Sequence, residues 1–312
     1  MPEQPERPAP MGGPKLPPAD DQEAPARRSR GQDTWRRYRA NRVALAGLVV
    51  VLALIMCAIL APWITPYPKD AGTATNFAAT LQAPSRTHLF GTDDVGRDIF
   101  TRVLFGARLS LSIAAIVTVC SALIGVAVGA LSAFYGRWMQ WIAMGITDSF
   151  LALPALVLAI AVAAILGHST VNLVIALIVV WWPGYARLTE GLVQSEKERD
   201  YVEAAHAAGV RGLRILWRHV MPNIPAPIIV RMGQDIGYVI LTAAGLGFVG
   251  LGVQPPNPEW GVMVSDSHQY TLQAWWYSLY PGVAIAVAVL GFSLVGNGLQ
   301  QAFNIRQAVE GP

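Results

Sequence analysis

"YVEAAHAAGVRGLRILWRHVMPN", residues 201–223, is the most polar long stretch in the middle of a very apolar chain. It is too charged to cross a bilayer and too regular to be a slack connection. Glu203, Ala204 and Ala205 are strong helix formers, and the helix can extend back to about Ser195. Gly209 can take the left-handed conformation that commonly stops a helix. A second helical run follows, with Leu213, Leu216 and Val220 on one face and Arg211, Arg214 and Arg218 on another. Pro222 ends it. The stretch is therefore expected to fold as helix, tight turn, helix, with small residues where another surface can come close. Two uses fit that shape: an interfacial helix resting on anionic lipid, and a docking element for a cytoplasmic partner.

The surroundings explain why such an element matters. Of 312 residues, 53% are hydrophobic and 14% charged, against about a quarter charged in soluble domains. Apolar residues come in blocks of the roughly 20 needed to cross a bilayer, so the chain is expected to be an all-α integral membrane protein. Spans are predicted at 43–64, 109–134, 141–167, 171–192, 223–245 and 279–299. These six spans put both termini on one side. Residues 1–34, with eight prolines and almost no large apolar side chains, are expected to be a disordered tail rather than a signal peptide. With both ends cytoplasmic, twelve Lys and Arg flank the inner face (36, 37, 39, 42, 137, 187, 197, 199, 211, 214, 218 and 306). Five (69, 86, 97, 102 and 108) lie opposite, and that bias marks 201–223 as cytoplasmic.

Several chemistries are excluded. Cys57 and Cys120 both lie inside apolar spans and suggest no disulfide or thiol site. The five histidines are scattered, and the spacing of Asp93, Asp94 and Asp98 fits no calcium loop, so no metal or cofactor is expected. The three lysines, Lys15, Lys69 and Lys197, lack the glycine-rich phosphate-cradling context. The chain is therefore not expected to be an enzyme. Work must come from another polypeptide, and 195–222 is the cytoplasmic element substantial enough to receive it.

Glu203-Ala204-Ala205, three residues, Gly209, then Pro222 resemble the "EAA…G…P" signature of permease subunits of ABC importers. The longer strings "YARLTEGLVQSEKERDYVEAAHAAG" (185–209), "HLFGTDDVGRDIFTRVLFGARLSLSI" (88–113) and "LGFVGLGVQPPNPEWGVMV" (246–264) are similar to the dipeptide/oligopeptide/nickel branch. So are "TWRRYRANR" (34–42) and "APWITPYP" (61–68), and the resemblance covers roughly 35–305. Two positions depart from the pattern: Ala243, where members often carry Glu, and Glu190, where they often carry a basic residue. The resemblance implies a type I importer permease carrying short peptides, with nickel, glutathione or another small solute as the alternative cargo. It also implies a second homologous permease, cytoplasmic ATP-binding subunits and an extracytoplasmic substrate-binding protein as partners. Glu203, Ala204, Ala205, Gly209, Arg211, Arg214 and Pro222 then become the ATPase-coupling residues, in a loop at 193–222.

The permease domain is expected over 35–312. Within it, 66–108 forms an extracytoplasmic segment ending in an elbow helix, and 250–278 forms an extracytoplasmic loop. On the elbow, Ile99, Phe100, Val103 and Leu104 can face lipid while Asp98 and Arg102 pair. Asp93, Asp94, Arg97, Pro255, Pro256 and Trp260 are candidate contacts for the binding protein, with Trp260, Trp275 and Trp276 also suited to anchoring at the membrane interface. Asp148, Arg231 and Asp235 are pathway candidates, because charges inside spans are functional suspects. Asp148 can equally serve an interhelical hydrogen bond, and Arg231 and Asp235, four apart, can neutralise each other. So few charges predict a low-affinity conduit. A stand-alone channel or secondary transporter would instead call for a chain of intramembrane acids or inverted halves with broken helices, and neither is apparent.

Overall fold

The computed structural model describes residues 30–210 and 212–303. It is helical: α1 Arg30–Ala40, α2 Arg42–Ile64, α3 Ile99–Phe134, α4 Arg137–Leu151, α5 Ala155–Leu166, α6 Thr170–Lys197, α7 Asp200–Ala207, α8 Gly212–Ile215, α9 Pro225–Phe248, α10 Trp260–Ser267 and α11 Trp275–Ala302. Four of these, α2, α3, α6 and α11, are long and apolar enough to cross a membrane. Two bent pairs also qualify, α4 with α5 at 94° and the 212–223 run with α9 at 58°, giving six spans if each pair is counted once.

Three expectations change here. The tail expected over 1–34 gives way to α1 from Arg30, and its first 29 residues lie outside the described ones. The stretch 141–167 is not one straight span: Leu153 and Pro154 break it, because proline lacks the N–H that would continue the helical ladder. There is also no separate elbow before the second span. Residues 99–134 form one 36-residue helix, about 54 Å long, because nothing between Ile99 and Phe134 interrupts the ladder. That exceeds a ~30 Å hydrocarbon core, so α3 is long enough to carry several turns beyond it.

Helices meet where side chains are absent. A Cβ on Gly125 would stand 2.4 Å from Tyr185 Cβ, and one on Gly129 would stand 2.3 Å from the Ala186 carbonyl, so α3 and α6 touch backbone to backbone. Gly47 makes the same kind of approach between α2 and α11, 2.5 Å from Leu294 Cβ. Small residues at crossings are the expected glue where lipid tails are as apolar as the helices. Two large apolar cores result among the described residues, beside a small cluster of Tyr38, Ala44 and Ala302. One, including Ile99, Val117, Leu173, Ile240 and Trp260, gathers α3, α6, α9, α10 and α11. The other joins Ala130, Ala133, Tyr185 and Val193 to Val202, Ile215, Leu216 and Val220 of the connection between α6 and α9.

Candidate functional sites

The polar stretch folds as a compact module fastened to three helices. α6 ends at Lys197 and α7 begins only at Asp200, so the first helix does not reach back to Ser195 unbroken. Glu196 and Arg199 pair across the break at 3.0 Å. Lys197 Nζ donates to the Ala133 carbonyl at 2.9 Å, tying the module to the end of α3. Tyr201 forms the central joint. Its hydroxyl donates to Glu196 Oε1 at 2.6 Å and lies 3.2 Å from the His219 carbonyl. Asn223 Nδ2 donates to that carbonyl at 2.6 Å and to Tyr201 Oη at 3.2 Å. Burial, then the Glu196 hydrogen bond, push the Tyr201 phenol above its ordinary pKa.

Val202 turns into the core, while Glu203, Ala204, His206, Ala207, Ala208 and Gly209 are exposed. Gly209 has φ +76°, and both bonds of a Schellman stop are present: Val210 N to Ala205 O at 3.1 Å and Gly209 N to His206 O at 2.9 Å. A Cβ on Gly209 would meet nothing, so the glycine serves backbone conformation rather than internal packing. Arg211 lies outside the described residues. Arg214 and Pro222 are exposed. Leu213 is exposed as well, and Ile215 joins Leu216 and Val220 in the buried row instead, ahead of a wide π-type turn over Leu216–Val220.

The extracytoplasmic candidates divide. Asp93, Arg97 and Trp260 are buried and used internally, whereas Asp94 and Pro256 are half-buried and Pro255 is exposed. Asp93 accepts from Val95 N (3.1 Å), Arg97 N (2.8 Å) and Arg97 Nε (2.6 Å), and Arg102 Nε approaches it at 3.6 Å. Arg102 also donates to the carbonyls of Asp70 and Pro256, both at 3.3 Å. The expected Asp98–Arg102 pair does not form. Asp98 instead caps α3 through Thr101 N (2.8 Å) and contacts His88 Nδ1 (3.0 Å). Ile99 and Val103 are buried, not lipid-facing, because α10 and α11 cover that end of α3.

Trp260 is no membrane anchor: its indole N–H donates to the Val103 carbonyl at 2.9 Å inside the core. Trp276 is buried with its N–H 3.4 Å from the Thr92 carbonyl, and Trp275 alone of the three is exposed. Glu259 went unremarked in the sequence. It is buried, caps α10 by accepting from Val262 N (3.0 Å), and accepts from Ser110 Oγ (3.2 Å). Burial raises its pKa, opposed by the backbone N–H groups of Gly261 and Val262 and by Ser110. The same short helix holds Asp266, raised by burial and held back chiefly by Arg102.

The three pathway candidates fall in two places. Asp148, near the end of α4, pairs with Arg187 of α6, and both are exposed. Glu190, buried beside them, accepts from Gln140 Nε2 (2.7 Å) and Gln194 Nε2 (2.6 Å). Arg231 and Asp235 pair on α9 at 2.9 Å and line a cavity of about 520 Å³. Its other walls are Leu151, Ala155 and Leu156 at the α4–α5 break, Trp181 and Gly184 on α6, and Tyr238 and Thr242 on α9.

Known proteins match this chain over most of its length. Residues 125–309 match the family described as binding-protein-dependent transport system inner membrane component. The chain belongs to this family. Residues 29–84 match the N-terminal transmembrane domain of oligopeptide transport permease C. The permease is 42% identical to "Dipeptide transport system permease protein DppC" of Alkalihalophilus pseudofirmus, over 93% of this chain and 94% of that one. It is 42% identical to the protein of the same name in Escherichia coli K12 (88% and 92%). It is 41% identical to "Di/tripeptide transport system permease protein DppC" of Pseudomonas aeruginosa (88% and 91%). The chain is thus a multi-pass permease of the cytoplasmic membrane and a transport subunit, not an enzyme.

Proposed function

We infer that this permease carries short peptides inward as one subunit of an ABC importer. The observation that carries the reading is α7 with its stop, which present Glu203, Ala204 and Gly209 to solvent from the joint between α6 and α9. The names borne by its relatives supply the cargo class. In this reading 193–222 is the coupling loop. Glu203, Ala204, Ala205, Gly209, Arg214 and Pro222 form the surface received by a cytoplasmic ATP-binding subunit, with Arg211 continuing it outside the described residues. The Lys and Arg bias supports placing both termini in the cytoplasm.

A second homologous permease completes the pathway, and an extracytoplasmic binding protein selects the cargo. The segments 66–108 and 250–278 form its docking face, where Asp94, Pro255 and Pro256 remain accessible. Copurification tests the coupling surface: Glu203→Lys reverses the charge of an exposed residue, and Gly209→Pro removes both the +76° backbone and the N–H of the stop. Each variant should lose the ATP-binding subunit while remaining in the membrane. Unchanged copurification of both would refute the assignment. ATP-dependent uptake of dipeptide, rather than of nickel or glutathione, tests the cargo.

A further inference from the structure

We propose that Arg231, aimed by Asp235, is a transit subsite for the C-terminal carboxylate of the peptide being carried. The proposal rests on the reading of the chain as a peptide permease. Arg231 lies six residues, roughly 9 Å, inside α9, where an ionisable side chain calls for a reason. Only its Nε edge is used: it donates to Asp235 Oδ1 at 3.1 Å and Oδ2 at 2.9 Å. Among the described residues no acceptor meets Nη1 or Nη2, and the side chain is 44% exposed, so that edge is open to a ligand. Asp235 is 6% exposed and fixes the plane of the guanidinium. A planar guanidinium with a free edge is the group best matched to a carboxylate, which it can hold through two parallel hydrogen bonds.

The helix beneath that edge carries no side chain there. Gly184 of α6 lies under Nη2, so that a Cβ there would come within 3.0 Å of it. The cavity suits a ligand that varies in side chain but not in backbone. Its volume, about 520 Å³, falls within the 300–1,000 Å³ usual for small-molecule sites. Leu151, Leu156, Val180 and Trp181 offer apolar walls, and Gln234 and Thr242, whose donors are committed to Asn297, Gln300 and the Tyr238 carbonyl, keep their oxygens as acceptors for a peptide N–H. Because Asp235 already balances the arginine, the site gains only the exchange of one carboxylate for water. Binding is therefore weak and release is easy, as a conduit requires.

The test uses the complete transporter in proteoliposomes, with dialanine as cargo. Uptake per ATP hydrolysed should fall roughly tenfold or more in Arg231→Gln, the scale of a lost charged hydrogen bond. It should recover in part in Arg231→Lys, and fall in Gly184→Val, which keeps the arginine but crowds its free edge. Thr242→Cys supplies an occupancy readout. Dialanine turnover should protect the thiol from a negatively charged methanethiosulfonate, and adding Arg231→Gln should abolish that protection. Unchanged uptake per ATP in Arg231→Gln overturns the proposal. So does loss of the second permease from the purified complex, which would make Arg231 an interface residue. If the unsubstituted transporter shows no ATP-dependent dialanine uptake, the peptide reading itself fails.

Discussion

Replacing Asp93 by alanine should cripple the fold of the layer built from 66–108 and 250–278, before it affects the docking proposed for that layer. The carboxylate is 0% exposed, accepts two backbone N–H groups and Arg97 Nε, and faces Arg102 Nε at 3.6 Å. Removing it leaves two buried guanidinium groups, at 9% and 1% exposure, without their anion. Breaking a buried pair from one side costs about 3–5 kcal/mol, a shift of roughly two to three and a half decades in the folding equilibrium. Asp93→Asn keeps an oxygen for the backbone amides and should cost less, about 1.5–3 kcal/mol for the charged hydrogen bonds. Adding Arg102→Met to Asp93→Asn removes one stranded charge and should restore part of the loss, since neighbours in one network are not additive. The assay is resistance of the purified protein to rising sodium dodecyl sulfate in mixed micelles, beside stimulation of ATP hydrolysis by loaded binding protein. Unaltered detergent resistance in Asp93→Ala together with lost stimulation would make Asp93 an external contact and refute the internal strut.

Three further outcomes are expected. Glu259 has a folded pKa raised above its unfolded value, so its contribution is full at acid pH and fades as pH climbs from the ordinary carboxyl value, ~4.3, through the raised one. Glu259→Gln should therefore gain resistance relative to the parent increasingly as pH rises above ~4.3, whereas Glu259→Ala leaves Val262 N–H unpartnered and loses at every pH. Gly129→Ala should destabilise by about 1–3 kcal/mol by forcing α3 off α6, while Gly145→Ala, with nothing near its Cβ, should be neutral or better in the same denaturation series. Tyr201→Phe removes a hydroxyl joining Glu196 to Asn223 on a side chain 38% exposed. It should cost only about 1 kcal/mol of stability yet raise the ATP consumed per peptide moved.

Sequence patterns revealed what depends on neighbours along the chain. Gly209 was legible because a left-handed helix stop is a local event, and its φ of +76° follows the residue type. The Arg231–Asp235 pair was legible because four residues on a helix bring side chains together. Arg102 was not. Its acid, Asp93, lies nine residues away across a turn, and the other two acceptors are carbonyls at Asp70 and Pro256. Trp260 was misjudged for a similar reason. A proline-rich approach suggests exposure, but the α3 groove beside Gly106 receives the ring, whose Nε1 a Cβ on that glycine would approach at 3.0 Å. The 94° bend of α4 against α5 was hidden by continuous hydropathy, which counts apolar residues without recording direction. Pro154 was the local signal that could have located it.

The joint at Tyr201 and the cavity at Arg231 are connected by the way the chain divides its walls. Glu196 stands at the end of α6, and the same helix carries Trp181 and Gly184, twelve to fifteen residues or roughly 18–23 Å away. Asn223 stands just before α9, which carries Arg231, Asp235 and Tyr238. Tyr201 binds both starting points, so two walls of the cavity are anchored in one module with its own apolar core. The third wall, at the α4–α5 break, belongs to neither helix. In the coupling proposed above, a force on α7 would move α6 and α9 together against the break at 152–154, where Leu153 and Pro154 interrupt the helical ladder. Widening at that break would separate Leu151 and Leu156 from Trp181 and Arg231, opening the cavity without breaking the glycine seam between α3 and α6. That division is why removing one hydroxyl from Tyr201 should leave the permease folded and still uncouple it. The spans would keep their packing, but α6 and α9 would no longer answer the same push.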